Sequence, residues 1–202
     1  MQKIYVLDIK DIAENEQLVK SFLPLDAVMK SDGYAESADR LRSLGGALLI
    51  KAFTANSPLL YDELKKPYKK EPPFFNVSHF FNKVGIFLND NGAVGFDIQL
   101  IKEYNEKLVD YVFKGEERRL VNDGKTFAAM WTKKESAVKL TGEGVASIRK
   151  QILTEISDKS YIFNGKKIFY KTFLSGDYAI TASSFDPVTA QITEITVKEI
   201  IK

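Results

Sequence analysis

The chain has 202 residues, 45 % of them hydrophobic and 28 % charged, the make-up of an ordinary globular protein with room for one large domain or two smaller halves. Its 29 basic and 27 acidic residues leave a net charge of +2, too balanced to indicate a nucleic-acid binder. Cysteine is absent and histidine occurs once, which excludes disulfide scaffolds, thiolate zinc sites, cysteine nucleophiles and multi-histidine metal sites. Any metal is therefore expected to be a hard cation held by oxygen.

The first run, "IYVLDI" (4–9), is β-branched and aromatic and predicts a strand. Residues 11–30 are mixed and partly helical in character. "SADRLRSLGGALLIKAF" (37–53) predicts a helix, because Leu41, Leu44, Leu48, Ala52 and Phe53 recur at helical spacing and Ser37 or Asp39 can cap its start. "SPLLYDELKKPYKKEPP" (57–73) is rich in proline and lysine and is expected to be a basic loop. "FFNVSHF" (74–80), "VGIFL" (84–88) and "AVGFDIQLI" (93–101) predict three strands forming a meander. Helices are expected at about 103–113, 116–122 and 126–140, and strands at about 152–157, 161–171, 177–184 and 191–198. The order strand, helix, strands thus occurs twice. The fold class expected is α+β, a pseudo-duplicated pair of halves, 1–95 and 96–202, each a helix packed on a small, mainly antiparallel sheet, with an active site in the cleft between them.

In "AVGFDIQLI" strict alternation puts Asp97 and Gln99 on one face of a strand, opposite Val94, Phe96, Ile98 and Leu100. By itself this pair suits a solvated strand face. In "FAAMWTKKESAVKLTG" Phe127, Trp131 and Val138 form an apolar stripe, and Glu135, four residues after Trp131, lies against it. Lys139 follows Glu135 by four, the spacing of an ordinary helical ion pair. Gly142 is positioned to end that helix. His79 in "FNVSHF" is, alone, more consistent with a satisfied structural histidine than with a ligand.

Taken in order, "FNVSHF", "VGFDIQ" and "WTKKESAVKLTGEG" (131–144) closely resemble the signature of 4′-phosphopantetheinyl transferases, in the two-halved type that activates surfactin synthetase and similar carrier-bearing enzymes. The family pattern runs Asn-x-Ser-His, then Gly-x-Asp-x-Glu, then Trp-(Ser/Thr)-x-Lys-Glu-(Ser/Ala)-x-x-Lys-x-x-Gly-x-Gly. "DRLRSLGGALL" is similar to the family's Arg-(Ser/Thr)-Leu-x-Gly helix, "KKPYKK" to its Gly-Lys-Pro loop, and "FKGEE" (113–117) to its Phe-Ser-x-x-Glu segment. The resemblance covers most of residues 30–145.

The resemblance implies coenzyme A as donor, an apo acyl- or peptidyl-carrier protein as acceptor, and Mg²⁺ (or Mn²⁺) as cofactor, the holo-acyl-carrier-protein synthase reaction. A carrier serine attacks the β-phosphate, and adenosine 3′,5′-bisphosphate leaves. Metal ligands implied are Asp97, Glu135 and Gln99, the last replacing the family's glutamate and so removing one negative charge. Catalytic residues implied are Glu135, Lys139 and Glu116, with Glu135 or Glu116 as base. Coenzyme A contacts implied are His79, Ser78, Arg42, Ser43, Lys66, Lys30 and Lys139. No apolar run reaches membrane or signal-peptide length, so the chain is expected to be a cytoplasmic monomer without membrane or nucleic-acid partners. Gln99 leaves one alternative, a non-catalytic coenzyme A or carrier-protein binding module of the same fold.

Overall fold

The computed structural model describes residues 1–54, 58–63, 66–144, 147–149 and 152–202. In chain order come β1 (Gln2–Asp8), α1 (Ile9–Glu14), α2 (Glu16–Phe22), α3 (Leu25–Asp32), α4 (Ser37–Thr54), β2 (Leu60–Tyr61), β3 (Pro67–Tyr68), β4 (Phe74–Phe80) and β5 (Lys83–Asn89). There follow β6 (Val94–Leu100), α5 (Glu106–Val112), α6 (Glu116–Leu120), α7 (Gly124–Thr141), β7 (Thr154–Ser157), β8 (Ser160–Phe163), β9 (Lys166–Ser175), β10 (Tyr178–Ser184), β11 (Ile192–Glu194) and α8 (Val197–Ile200). The chain is α+β and divides into two compact units, Met1–Asn91 with Ala190–Lys202, and Gly92–Thr189. Each contains one 18-residue helix, α4 or α7.

In the first unit the sheet order is β11-β1-β5-β4. The β1–β5 and β5–β4 pairs are antiparallel and β1–β11 is parallel. α4 buries Leu41, Leu44 and Leu48 of the predicted stripe in a core with Ile12, Val84 and Ile86; Ala52 and Phe53 of that stripe are only half-buried, and Leu49, outside it, is fully buried. Gly45 gives room within that core, since a Cβ there would come within 2.5 Å of the Ile12 Cδ1.

Three expectations are corrected in this unit. β4, β5 and β6 do not form a meander: β1 takes the second edge of β5, so β6 cannot pair with β5 and pairs instead with β10 in the other unit. The basic stretch carries structure, a short β2–β3 hairpin followed by Lys69, which is only 4 % exposed; Ser57, Leu64 and Lys65 of it lie outside the described residues. The C-terminal segment, assigned from sequence to the second half, lies with the first unit because β11 extends its sheet and Val197 is buried in its core.

In the second unit five antiparallel strands run in the order β6-β10-β9-β8-β7. α7 begins at Asp123, whose carboxylate accepts the Thr126 N–H at 2.6 Å while the Thr126 side chain answers the Asp123 N–H, a reciprocal cap. It ends at Gly142, whose φ of 75° is the left-handed cap expected from sequence. Phe127, Met130, Ala137 and Val138 bury one side of α7 against Val109, Val112, Phe113, Tyr161 and Phe163.

Candidate active site

The acidic residues of the second unit are held by β6 and α7. Pleating puts Gly95, Asp97 and Gln99 on one face of β6. α7 reaches that face closely at Gly95, where a Cβ would stand 1.8 Å from the Ser136 carbonyl oxygen. Only glycine accommodates this approach, which gives the glycine of "VGFDIQ" its physical meaning. Asp97, Gln99 and Glu135 are all buried, at 5, 8 and 6 % exposure. The Lys139 Nζ donates to Asp97 Oδ1 at 2.6 Å and to the Phe96 carbonyl at 3.2 Å. α7 thus brings Lys139 to Asp97, with Glu135 near enough for the Asp97 carboxylate to act on it.

Burial pushes the Glu135 carboxyl up to about 7, with the neighbouring Asp97 carboxylate adding to the rise and Lys139 opposing it. A buried carboxyl whose proton affinity is raised by a neighbouring carboxylate forms, with it, a site that gains from a cation. Among the described residues no three His, Cys, Asp or Glu side chains gather as a metal cluster. The donor set here is two carboxylates, with the Gln99 amide oxygen on the same strand face. All-oxygen donors suit a hard, Mg²⁺-like ion, which also takes ligands from substrate phosphates and water. Asp97 and Glu135 would hold it, with Gln99 as a neutral third donor.

Of the residues singled out in the first unit, Lys30, Arg42, Ser43 and His79 line a cavity of about 660 Å³. Lys30 comes from α3, Arg42 and Ser43 from α4, and His79 from β4. Arg42 is anchored by the Phe81 carbonyl at 2.8 Å and by Asp39. Ser43 Oγ accepts from Ser31 Oγ at 2.9 Å. Gly46, Ile50 and Val77 supply apolar wall. Two expected members are absent from this lining. Ser78 is buried on the opposite face of β4, since Val77 and His79 take the cavity side. Lys66 lies outside it, its N–H donating to Asp62 Oδ1 at 2.8 Å in the β2–β3 turn, although Pro67 reaches the cavity. Lys51, which the sequence reading missed, also lines it. It follows Ala47 by four on α4, so helical spacing carried the signal.

Glu116 is on the outer side of α6, its side chain 84 % exposed and paired with Arg119. Its neighbour Glu117 turns inward, with Oε2 accepting from Lys134 Nζ at 2.7 Å and Oε1 from the Leu153 N–H at 2.6 Å. Lys134 also donates to the Val112 carbonyl at 2.9 Å. Burial lowers the Lys134 pKa, and the Glu117 carboxylate opposes that fall. The Phe-x-x-x-Glu spacing from Phe113 reaches Glu117, not Glu116. Counting it out was the signal available in the sequence.

The sequence is similar to known proteins of one kind. Residues 93–186, nearly the whole second unit, match the family model of the 4′-phosphopantetheinyl transferase superfamily. The chain is 33 % identical over 112 residues to the 4′-phosphopantetheinyl transferase AcpT of Salmonella typhi, covering 48 % of this chain and 56 % of that protein. It is 27 % identical over 188 residues to the 4′-phosphopantetheinyl transferase gsp of Aneurinibacillus migulanus, covering 83 % of this chain and 79 % of that protein. The putative 4′-phosphopantetheinyl transferase slr0495 of Synechocystis is 24 % identical over 156 residues, covering 67 % and 63 %. The chain therefore spans just over half the length of AcpT. Residues 93–186, which carry Asp97, Glu135 and Lys139, are thus similar to the 4′-phosphopantetheinyl transferase superfamily.

Proposed function

We propose that this protein transfers the 4′-phosphopantetheine arm of coenzyme A to a serine of an apo acyl- or peptidyl-carrier protein. The observation that carries the reading is the buried meeting of Asp97, Glu135 and Lys139 across β6 and α7. In the reaction the carrier serine Oγ forms a bond to the β-phosphorus, the bond from that phosphorus to the bridging oxygen breaks, and adenosine 3′,5′-bisphosphate leaves. The serine proton needs an acceptor. Glu135, buried beside Asp97, is the candidate acceptor. Glu116, exposed and paired with Arg119, is not. Lys139 offers an ammonium to the charge that builds on the transferred phosphoryl group. A bound Mg²⁺ would neutralise the pyrophosphate and hold attacking and leaving oxygens in line.

In the first unit Lys30, Arg42 and Lys51, with the His79 imidazole beside them and Asp26 and Asp39 also in the lining, give the cavity donors suited to the phosphate of the adenosine moiety. Gly46, Ile50 and Val77 offer apolar surface to the base. The attacking nucleophile belongs to the carrier, which is why this chain needs no activated serine or cysteine of its own.

Incubation with coenzyme A, Mg²⁺ and a panel of apo acyl- and peptidyl-carrier proteins should raise the intact mass of at least one carrier by a single phosphopantetheinyl arm. Glu135→Ala should abolish the transfer while leaving the protein folded by circular dichroism. Failure of the wild-type protein to modify any carrier would overturn the reading.

A further inference from the structure

α7 rests on the sheet through two hydroxyl pairs. Thr132 Oγ1 and Thr181 Oγ1 are 2.8 Å apart, and Ser136 Oγ and Ser183 Oγ are 2.7 Å apart. All four residues are completely buried. Proton counting gives the pairs a direction. Thr132 donates to the Ala129 carbonyl at 3.0 Å and Ser136 to the Lys133 carbonyl at 2.9 Å. Each hydroxyl has one proton, so both helical hydroxyls accept, and Thr181 and Ser183 donate. Thr181 in turn accepts from Thr172 of β9 at 2.9 Å. Ser183 lies 3.2 Å from the Tyr161 hydroxyl, which also reaches the Lys133 carbonyl at 3.2 Å. The chain of hydroxyls thus ties α7 to three successive strands.

The spacing is what gives these pairs a function. Four residues of helix rise about 6 Å and two residues of strand about 6.7 Å, so two rungs fit side by side only in one register. In the β10–β6 ladder Thr181 is the partner of Asp97, and Ser183 is the partner of Gly95. One rung therefore stands in the row of the metal-site aspartate, the other in the row where the helix backbone touches the sheet. Glu135 lies between the two rungs on α7. A slip of one turn along the helix would carry Glu135 about 5.4 Å away. Apolar contacts alone would resist such a slip weakly, because one methyl surface substitutes for another. Buried hydroxyls resist it strongly, because a lost partner leaves a desolvated donor unpaired.

We propose that Thr181 and Ser183 of β10 are positioning residues, which through Thr132 and Ser136 fix the register of α7 so that Glu135 and Asp97 share one divalent cation. This rests on the transferase reading above. The test is Mn²⁺ binding to the full chain, followed by the electron paramagnetic resonance of the free ion, together with the transfer rate as Mn²⁺ is varied. The Thr181→Val, Ser183→Ala double variant should bind Mn²⁺ about tenfold or more weakly, in the range found when partners of ligating residues are removed. Its transfer rate at fixed Mn²⁺ should fall, and should recover as Mn²⁺ is raised toward the variant's weaker affinity. Thr181→Ser, which keeps the hydroxyl, should restore Mn²⁺ affinity in the Ser183→Ala background relative to Thr181→Val. If the double variant does not fold, Ser183→Ala alone should show the same loss and recovery on a smaller scale. Wild-type protein that neither binds Mn²⁺ nor transfers the arm would overturn the proposed function. Wild-type protein that does both, beside a folded double variant of equal Mn²⁺ affinity, would overturn the positioning role alone.

Discussion

A carboxyl that is buried beside a second carboxylate is uncomfortable when ionised. Glu135 is such a group, with its folded-state pKa raised to about 7 from an ordinary 4.5. The protonated form favours the fold, so its contribution is fully present below the unfolded value and is lost as pH rises through the folded one. The window is therefore about pH 4.5 to 7. Glu135→Gln removes the ionisable group while keeping the shape. In the absence of divalent metal its gain in melting temperature over wild type should be larger at pH 8 than at pH 5. Equal gains at both values would show that Glu135 ionises normally. The same group must lose its proton to ligate a cation, so wild-type Mg²⁺ affinity should climb between pH 5 and 7 and then level. Gln99 sets a second test two residues from Asp97. Gln99→Glu restores a negative charge to the donor set and should lower the Mg²⁺ concentration needed for half-maximal activity. Unchanged Mg²⁺ dependence would remove Gln99 from the metal site.

Elements decide whether those residues meet. The contact of α7 with β6 depends on Gly95, where any Cβ would collide with the Ser136 carbonyl and stand 2.8 Å from the Leu140 nitrogen. Neither neighbour is a flexible side-chain end. Gly95→Ala must therefore push the helix outward, at a cost of about 1–3 kcal/mol or more, and should lower both melting temperature and transfer rate. Gly92→Ala, where a Cβ meets nothing within 4 Å, is the control and should change stability by less than about 0.5 kcal/mol. If Gly95→Ala behaved like that control, the close approach would not be essential. Much at this scale was legible in the sequence. Strand alternation identified the shared face of Asp97 and Gln99, and four-residue spacing tied Glu135 to Lys139. The buried hydroxyl pairs were not legible. Thr132 and Ser136 look like ordinary polar residues in a helix, and their partners Thr181 and Ser183 lie more than forty positions away, joined only by the sheet.

At the scale of the whole chain, local pattern found the longer strands and helices but not their partners, and it missed β2, β3 and α8, the last falling at the end of an expected strand. "VGFDIQ" follows β4 and β5 after a short turn, and hairpin logic assigns it to their sheet. The edge of β5 is already taken by β1, whose seven residues pair with it along their full length, and occupancy of an edge by a distant strand leaves no trace in nearby residues. The C-terminal segment misled for the same reason. "QITEITVKEIIK" continues a run of strands, yet β11 pairs with Ile4, Tyr5 and Val6 of β1. The Val197 N–H also donates to Asp11 Oδ2 at 2.6 Å. Val197 is fully buried in the core that contains Leu7, Ile12 and Leu44. The two ends of the chain therefore stabilise one unit together. Val197→Asp puts an unpaired carboxylate in that core and should destabilise the first unit by about 3 kcal/mol or more. Hydrogen exchange should show protection falling at the amides of β1 and α4, while amides of β9 and β10 in the second unit keep theirs. A uniform loss across both units would mean that they unfold as one cooperative body, and no loss would mean that α8 is not part of the core at all.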